Sequence, residues 1–259
     1  MTILQRQWLN RLLVRGAGTL LVGFALVAAL IWAEFDLEVL MSSGPRFTEF
    51  FSRLVPPDWS VGTLVLKSTV ETLMIAFAGT GIAIMLSLPL GLLAASNVSP
   101  AWVHTPVKTV LGLVRSIPLI VVAMVFVTAV GLGPFPGMLA IAFHSTGMLA
   151  KFYAEEFETA EHGIINAIVG TGASKIQTIR FGVLAQCVPQ AVSFTVYRFE
   201  MNFRDATVLG LVGAGGIGYY ISAYVRSFQY EKVAVLLIVI SAVVFLLDQT
   251  TFWIRRWVL

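Results

Sequence analysis

Charge-free apolar stretches recur along the whole chain and are separated by short polar segments. A helix needs about 20 apolar residues to cross the ~30 Å hydrocarbon core of a membrane, so each long stretch predicts a span. The first stretch is expected to remain as an uncleaved anchor, because it ends without the small-residue pattern of a signal-peptide cleavage site. The predicted spans cover residues 17–33, 68–95, 106–130 and 138–157, a fifth helix that ends near residue 210, and a last helix that begins near residue 233.

A charged cluster interrupts the apolar pattern late in the chain and consists of Arg198, Glu200, Arg204 and Asp205. If the cluster separates two spans, at 181–197 and 206–225, the chain has seven. If it lies inside one helix, the chain has six, and residues 210–232 form a re-entrant or loop element on the outer side. Basic residues mark both chain ends and the polar segment 155–180, and these regions belong in the cytoplasm under the positive-inside rule. Since only six spans place all three on one side, the sequence predicts an all-α membrane protein with six transmembrane helices and cytoplasmic termini.

Composition supports this class and excludes others. Of the 259 residues, 58% are hydrophobic and 12% charged, whereas soluble domains have about 25% charged residues, so an ordinary soluble enzyme is excluded. The net charge of +3 comes from scattered basic residues that form no stripe for nucleic acid. The single cysteine, Cys187, excludes an intrachain disulfide, and no catalytic or metal-binding set stands out. Residues 1–60 are predicted to form an anchor helix and outer loop, and residues 61–259 the core.

The polar segment 155–180 is where a soluble partner has room to dock. It predicts two short amphipathic helices separated by Gly170-Thr171-Gly172, with isoleucines on both. Such a segment is also typical of a connector that lies on the membrane surface. Spacing by itself leaves both interpretations open.

Further residues in this segment resemble a known loop. Asn166-Ala167-Ile168, Gly172 and Val183-Leu184 are similar to the "EAA loop" of permease subunits of binding-protein-dependent ABC importers, although Asn166 replaces the usual Glu and Ala185 the usual Pro. In that family the loop forms coupling helices that contact the ATP-hydrolysing subunit. The resemblance implies ATPase-coupling residues at Asn166, Ala167, Gly170, Gly172, Ala173, Ser174 and Lys175.

The remainder of the chain, from about residue 69 to 256, resembles the permease of phosphonate importers. The motifs that carry this resemblance are Arg115-Ser116-Ile117-Pro118, His144-Ser145-Thr146-Gly147, Lys151-Phe152-Tyr153-Ala154-Glu155, Thr171-Gly172-Ala173-Ser174, Tyr197–Arg204 and Val208–Gly218. The resemblance implies a subunit that moves phosphonate, phosphite or phosphate across a prokaryotic cell membrane. It implies as partners a second copy of the permease, two ATP-binding subunits and an extracytoplasmic substrate-binding protein.

The chain has no G-x-x-x-x-G-K-[ST] phosphate-binding loop. If ATP drives transport, ATP and Mg must therefore bind to the partner ATPase, and this chain is expected to hold no cofactor. An ion-gradient-driven secondary transporter of a small anion is the alternative, although such proteins usually contain two related halves and no internal repeat is evident here. An intramembrane enzyme is a third class, for which the chain offers no nucleophile constellation.

Charged side chains at membrane depth are costly unless they pair or line water. Glu200 and Arg204 are four residues apart, and Arg198 and Asp205 are seven apart, so both pairs can meet on one helix face. Alternatively, arginines line the passage for an anion, because a guanidinium matches the oxygens of a phosphonate. The predicted translocation pathway consists of Arg115, Ser116, Pro118, Arg198, Glu200 and Arg204.

A glycine-rich run follows this cluster. Residues 213–218 fit the G-x-G-x-x-G pattern of dinucleotide-binding proteins, but the alternating strands and helices that this pattern requires are missing around it. The context instead favours glycines that allow close helix approach or a re-entrant bend, where a gate could form. The predicted gate residues are Gly213, Gly215, Gly216 and Gly218.

Overall fold

The computed structural model describes the backbone of residues 3–258 and the side chains of residue 16 and residues 18–257. Within these residues all regular secondary structure is helical, as the sequence predicts. The chain forms two compact units, one ending at Arg53 and the other beginning at Leu54. The side chains of Arg6, Arg11 and Arg15, which support the predicted orientation of the first span, lie outside the described residues.

The first unit contains three helices, α1 (Ile3–Trp32), α2 (Leu37–Ser42) and α3 (Gly44–Ser52). The predicted span 17–33 coincides with the second half of α1. After α1 the helical path bends by 62°. The Asp36 carboxylate caps α2 by accepting hydrogen bonds from the backbone N–H groups of Glu38 and Val39 at 2.8 and 3.1 Å.

The second unit is built on two long helices, α4 (Gly62–Ala94) and α7 (Pro134–Glu158), which pack along most of their lengths. Small residues allow this close approach. A Cβ atom added to Gly79 of α4 would lie 2.7 Å from Ile141 Cγ2 and 3.1 Å from the Met138 carbonyl oxygen. Packing of helices in lipid relies on such small residues, because burial of apolar surface gives little driving force there.

Between these two helices in the chain lie α5 (Ala101–Ser116) and α6 (Leu119–Val130). The predicted span 106–130 is not one continuous helix, because its residues are divided between α5 and α6, which meet at an angle of 84°. Ile117 precedes Pro118 and is extended, with φ −79° and ψ 123°. A proline disfavours the α conformation in the residue before it and lacks the N–H that would continue the helix. A turn precedes α7, and Gly131 and Gly133 in this turn have positive φ.

The segment after α7 contains α8 (His162–Gly170) and a short α9 (Lys175–Gln177). The helix break between them at Gly170–Gly172 is confirmed, but the second helix is not a separate short one. It continues through a π-helical turn (Thr178–Leu184) into α10 (Ala185–Gly210). The charged cluster therefore lies inside one continuous helix, as in the six-span arrangement, and the division between 197 and 206 is wrong.

The chain turns after Gly210 and forms α11 (Gly216–Arg226) and α12 (Tyr230–Val258). With 11 residues, α11 is about 16 Å long, which is too short to cross a membrane. This agrees with the predicted re-entrant or loop element at 210–232. In the described residues, three helices are long and apolar enough to span (59–94, 175–210 and 230–257), or five if each bent pair counts as one. Six spans therefore stays a prediction.

α7 is the helix missing from that count. Its 25 residues reach about 37 Å, which is sufficient to span, but its last two turns carry four charged residues that lower the hydropathy: Lys151, Glu155, Glu156 and Glu158. Glu158 is tied to the end of α4, since it accepts hydrogen bonds from the Ser96 N–H at 2.7 Å and from Lys108 Nζ at 2.6 Å. This end of the bundle lies beside α8, and the turn after α10 lies at the opposite end.

We expect opposite effects from the same substitution at two glycines of α4. Gly79→Ala should destabilise the protein by about 1–3 kcal/mol, because the added methyl group contacts Ile141 and backbone in a filled interface. Gly81→Ala is the matched control, because its Cβ meets nothing within 4 Å and alanine favours a helix by about 1 kcal/mol. Thermal unfolding in detergent, followed by size-exclusion chromatography, measures both. Equal unfolding temperatures would contradict the proposed close contact of α4 with α7.

Candidate translocation and coupling sites

A buried polar network joins α4, α7 and α10 around Arg198. The Arg198 side chain is 7% exposed, and its Nε donates to Ser145 Oγ at 3.1 Å. One terminal nitrogen lies 3.1 Å from His144 Nδ1 and 3.3 Å from Asp205 Oδ2. The arginine thus contacts polar groups of its own chain on two helices, which offsets the cost of burying its charge.

The network continues through Asn202, one turn further along α10. Its Oδ1 accepts a hydrogen bond from Ser145 Oγ at 2.9 Å, and its Nδ2 donates to Thr80 Oγ1 of α4 at 2.8 Å. Thr80 Oγ1 in turn donates to the Ala76 carbonyl at 2.6 Å. The sequence did not predict Thr80, Ser145 and Asn202 as partners of Arg198. The four-residue spacing of Arg198 and Asn202 was the available signal, because it places both on one face of α10.

A second ion pair lies on the same helix. Arg204 donates to Glu200 Oε1 at 2.6 Å. The two partners differ in environment, since the Glu200 side chain is 5% exposed and the Arg204 side chain 42% exposed. Both pairings that spacing suggested are therefore present, and Arg204 combines a carboxylate partner with an accessible guanidinium.

The other predicted pathway residues lie elsewhere. Arg115, Ser116 and Pro118 are exposed at the break between α5 and α6. Ser116 Oγ donates to the Leu113 carbonyl at 2.8 Å. Arg115 has no ion pair or hydrogen bond with another residue among those described. The structure does not join these residues to the α10 cluster within one chain.

The predicted gate glycines lie in the turn between α10 and α11 and in the first residues of α11, and hydrogen bonds join this region to α4 and to the turn before α7. The Gly216 N–H donates to Glu71 Oε1 at 2.9 Å, and the Ile217 N–H donates to Thr72 Oγ1 at 2.8 Å. The Gly133 N–H donates to the Gly213 carbonyl at 2.9 Å. Gly216 has φ +72° and a Cβ there would lie 2.5 Å from Thr72 Oγ1, so position and conformation both require glycine. Close helix approach, one of the two predicted roles, is present in the turn.

The predicted coupling residues lie at the other end of the bundle. Ala173 is half-buried, and the other six are exposed: Asn166, Ala167, Gly170, Gly172, Ser174 and Lys175. One face of α8 packs on the π-helical turn, where Ile165 and Ile168 approach Gly182. Ile164 and Val169 flank this packed face on its two sides and leave apolar surface uncovered, with Ile164 41% and Val169 52% exposed. An exposed apolar face on a short helix is a typical docking surface for another protein.

Ser174 has a structural role in this segment. It caps the helix that leads into α10, because its Oγ accepts from the Gln177 N–H at 3.4 Å, and Gln177 Oε1 accepts from the Ser174 N–H at 2.8 Å. This reciprocal arrangement is a capping box. The sequence indicated the helix start, and the cap explains why a serine occupies it.

A family model described as the binding-protein-dependent transport system inner membrane component matches residues 87–259, and the chain belongs to this family. It is therefore a permease subunit of a membrane transport system, and an ion-gradient secondary transporter or an intramembrane enzyme is not supported. The predicted resemblance is confirmed. The membrane location is confirmed as well, whereas the orientation of the termini is untested.

Curated relatives match nearly the full chain. It is 36% identical to the phosphite transport system permease protein PtxC of Stutzerimonas stutzeri, over 93% of this chain and 89% of that protein. It is 35% identical to the phosphate-import permease protein PhnE of Mycolicibacterium smegmatis, over 93% of this chain and 45% of that protein. Among solved structures, an inward-facing MetNI methionine ABC transporter covers 78% of this chain and 99% of its own, with a TM-score of 0.70 at 20% identity, which indicates a shared fold.

The hydrogen bond from Gly216 to Glu71 provides a test of how the glycine turn is held. Glu71→Ala removes the acceptor and should speed hydrogen exchange of the Gly216 amide by about tenfold, which corresponds to the loss of one hydrogen bond. Glu71→Gln is the control, because its side-chain carbonyl can still accept the bond. Exchange in detergent, read by mass spectrometry of peptides that cover the turn, measures the effect. Equal exchange in both variants would show that Glu71 does not hold the turn.

Proposed function

We propose that this chain is the membrane-spanning subunit of an ABC importer that moves a phosphorus oxyanion (phosphite, phosphonate or phosphate) into the cell. The observation that carries this is the substrate named for two relatives, phosphite for one and phosphate for the other, at 35–36% identity over 93% of the chain. ATP and Mg bind to a separate ATPase subunit. An extracytoplasmic binding protein delivers the anion, and two copies of the permease enclose the pathway.

The exposed face of α8 supports the place of the ATPase in this assembly. α8 also packs on the π-helical turn that continues into α10. A partner bound to α8 therefore lies next to the helix that carries the charged cluster. ATP-driven closure of two ATPase subunits then moves α8 and tilts the spans, which opens the outer side for the delivered anion. Under this arrangement α8 faces the cytoplasm, both termini are cytoplasmic, and the glycine turn lies at the outer mouth and forms part of the gate.

The pathway residues divide by their exposure. Arg204, Arg115, Ser116 and Pro118 have accessible surface and contact the passing anion or shape its passage. Arg198 and Glu200 are buried within the chain, so they hold the cluster in place: Arg198 joins α10 to α7, and Glu200 orients Arg204. A guanidinium binds phosphorus oxyanions with two parallel hydrogen bonds, which suits Arg204 for the contact.

Reconstitution tests the proposal as a whole. The permease, its ATPase and its binding protein are placed in vesicles, and ATP hydrolysis is measured with phosphite, methylphosphonate, phosphate or sulfate. We expect one of the phosphorus oxyanions to stimulate hydrolysis together with its own uptake. Uptake driven by an ion gradient without the ATPase would overturn the proposal, as would stimulation by sulfate alone.

In the same vesicles, Arg204→Gln should lower uptake by about tenfold or more through loss of a charge-assisted hydrogen bond. The single variant also leaves the buried Glu200 carboxylate without its partner. The double variant Glu200→Gln with Arg204→Gln removes both charges and restores stability, and we expect its uptake to remain low. Full uptake in the double variant would show that Arg204 acts only as a partner for Glu200.

Charge placed on the exposed face of α8 should prevent binding of the ATPase. Ile164→Asp puts a carboxylate into the proposed apolar contact, and we expect the ATPase to be lost on copurification while the isolated permease keeps its unfolding temperature. Thr159→Asp is the control, because it adds the same charge just before α8 and outside the apolar face. Copurification of the ATPase with both variants in equal yield would contradict the assignment of this face.

A further inference from the structure

A cavity of about 670 Å³ lies between α6, α11 and the glycine turn. This volume is within the range of small-molecule sites, about 300–1,000 Å³. Met124 and Thr128 of α6 form one wall, Gly213 belongs to the turn at its edge, and α11 forms the facing wall. The cavity thus adjoins the turn that Glu71 and Gly133 hold, at the opposite end of the bundle from α8.

The wall from α11 is polar on one face. Tyr219, Ser222 and Arg226 are spaced three and four residues apart, so they lie on one side of the helix, and all three line the cavity. They present two hydroxyl groups and a guanidinium. None of these three groups has a hydrogen bond or ion pair with another side chain among the described residues, and no acidic residue is among those that line the cavity.

We infer that Arg226, with Ser222 and Tyr219, forms a receiving site for a tetrahedral phosphorus oxyanion at the mouth of the pathway, before the anion reaches Arg204. The guanidinium supplies a bidentate contact and the charge, and the two hydroxyl groups donate further hydrogen bonds. This inference rests on the proposed function in two respects: the identity of the anion, and the placement of the α11 end of the bundle on the outer side of the membrane. The site itself rests on the cavity and its unpaired donors.

Arg226 also fits two simpler roles. A basic side chain in the last turn of a helix interacts favourably with the helix dipole, and Arg226 is the last residue of α11. A lipid headgroup, moreover, offers the same phosphate chemistry as a free oxyanion. The glycine turn at the edge of the cavity favours the free anion, because it adjoins the proposed pathway.

Uptake of phosphite by the reconstituted complex, at saturating loaded binding protein, tests the site. Arg226→Gln should lower the uptake rate by about tenfold or more, and Arg226→Lys less, since lysine keeps the charge but not the bidentate contact. Lys232→Gln is the matched control, because it removes an equal charge nearby, outside the residues that line the cavity. If only the helix dipole matters, Arg226→Lys transports at the wild-type rate, and this result overturns the inference.

Two measurements keep the site and the proposed function separable. If the wild-type complex transports no phosphorus oxyanion, the proposed function fails, and phosphite binding to the isolated permease is then measured by equilibrium dialysis for wild type and Arg226→Gln. Equal binding overturns the site, and weaker binding to the variant supports it. Native mass spectrometry in phosphatidylglycerol counts bound lipids: loss of one lipid in Arg226→Gln with unchanged phosphite uptake assigns the site to a headgroup and overturns the inference.

Discussion

The buried guanidinium of Arg198 and its hydrogen-bond partners hold together the three helices at the centre of the second unit. A charge inside a helical bundle at membrane depth must find its partners within the protein, and those partners come from α7 and from further along α10. Asn202 extends the same network to α4. Because each hydrogen bond requires a particular distance, the network fixes how far the three helices are shifted along one another. This fixed register and the small residues between α4 and α7 together allow the close contact of these two helices.

This constraint also distributes the functional groups. The polar network occupies the middle of the bundle, and the glycine turn and α8 occupy its two ends. A permease must couple ATPase binding on one side of the membrane to opening of the pathway on the other. The interior network fixes the relative positions of the helices between these two sides. The proposed pathway, gate and coupling surface are thus three parts of one packed unit. α10 carries the charged cluster and leads into the glycine turn, and α8 packs on the π-helical turn that precedes α10.

Much of this organisation was predictable from charge and hydropathy. The apolar stretches located α4, α7 and α12. The requirement that all three basic regions lie on the same side of the membrane placed the charged cluster inside one helix. The bend at Pro118 was missed because the stretch 106–130 is largely apolar, and hydropathy does not register the local effect of X-Pro on the backbone. The partners of Arg198 and Asn202 were missed for another reason: Thr80 and Ser145 are distant in sequence, and only packing of α4 and α7 brings them together.

The π-helical turn at 178–184 has a mechanical consequence. α8 packs on this turn at Gly182, and the helix continues from the turn into α10 without a break. From Lys175 to Gly210 the helix has 36 residues, or about 54 Å of length. Under the proposed function, a displacement of α8 is passed along this helix to the glycine turn at its far end.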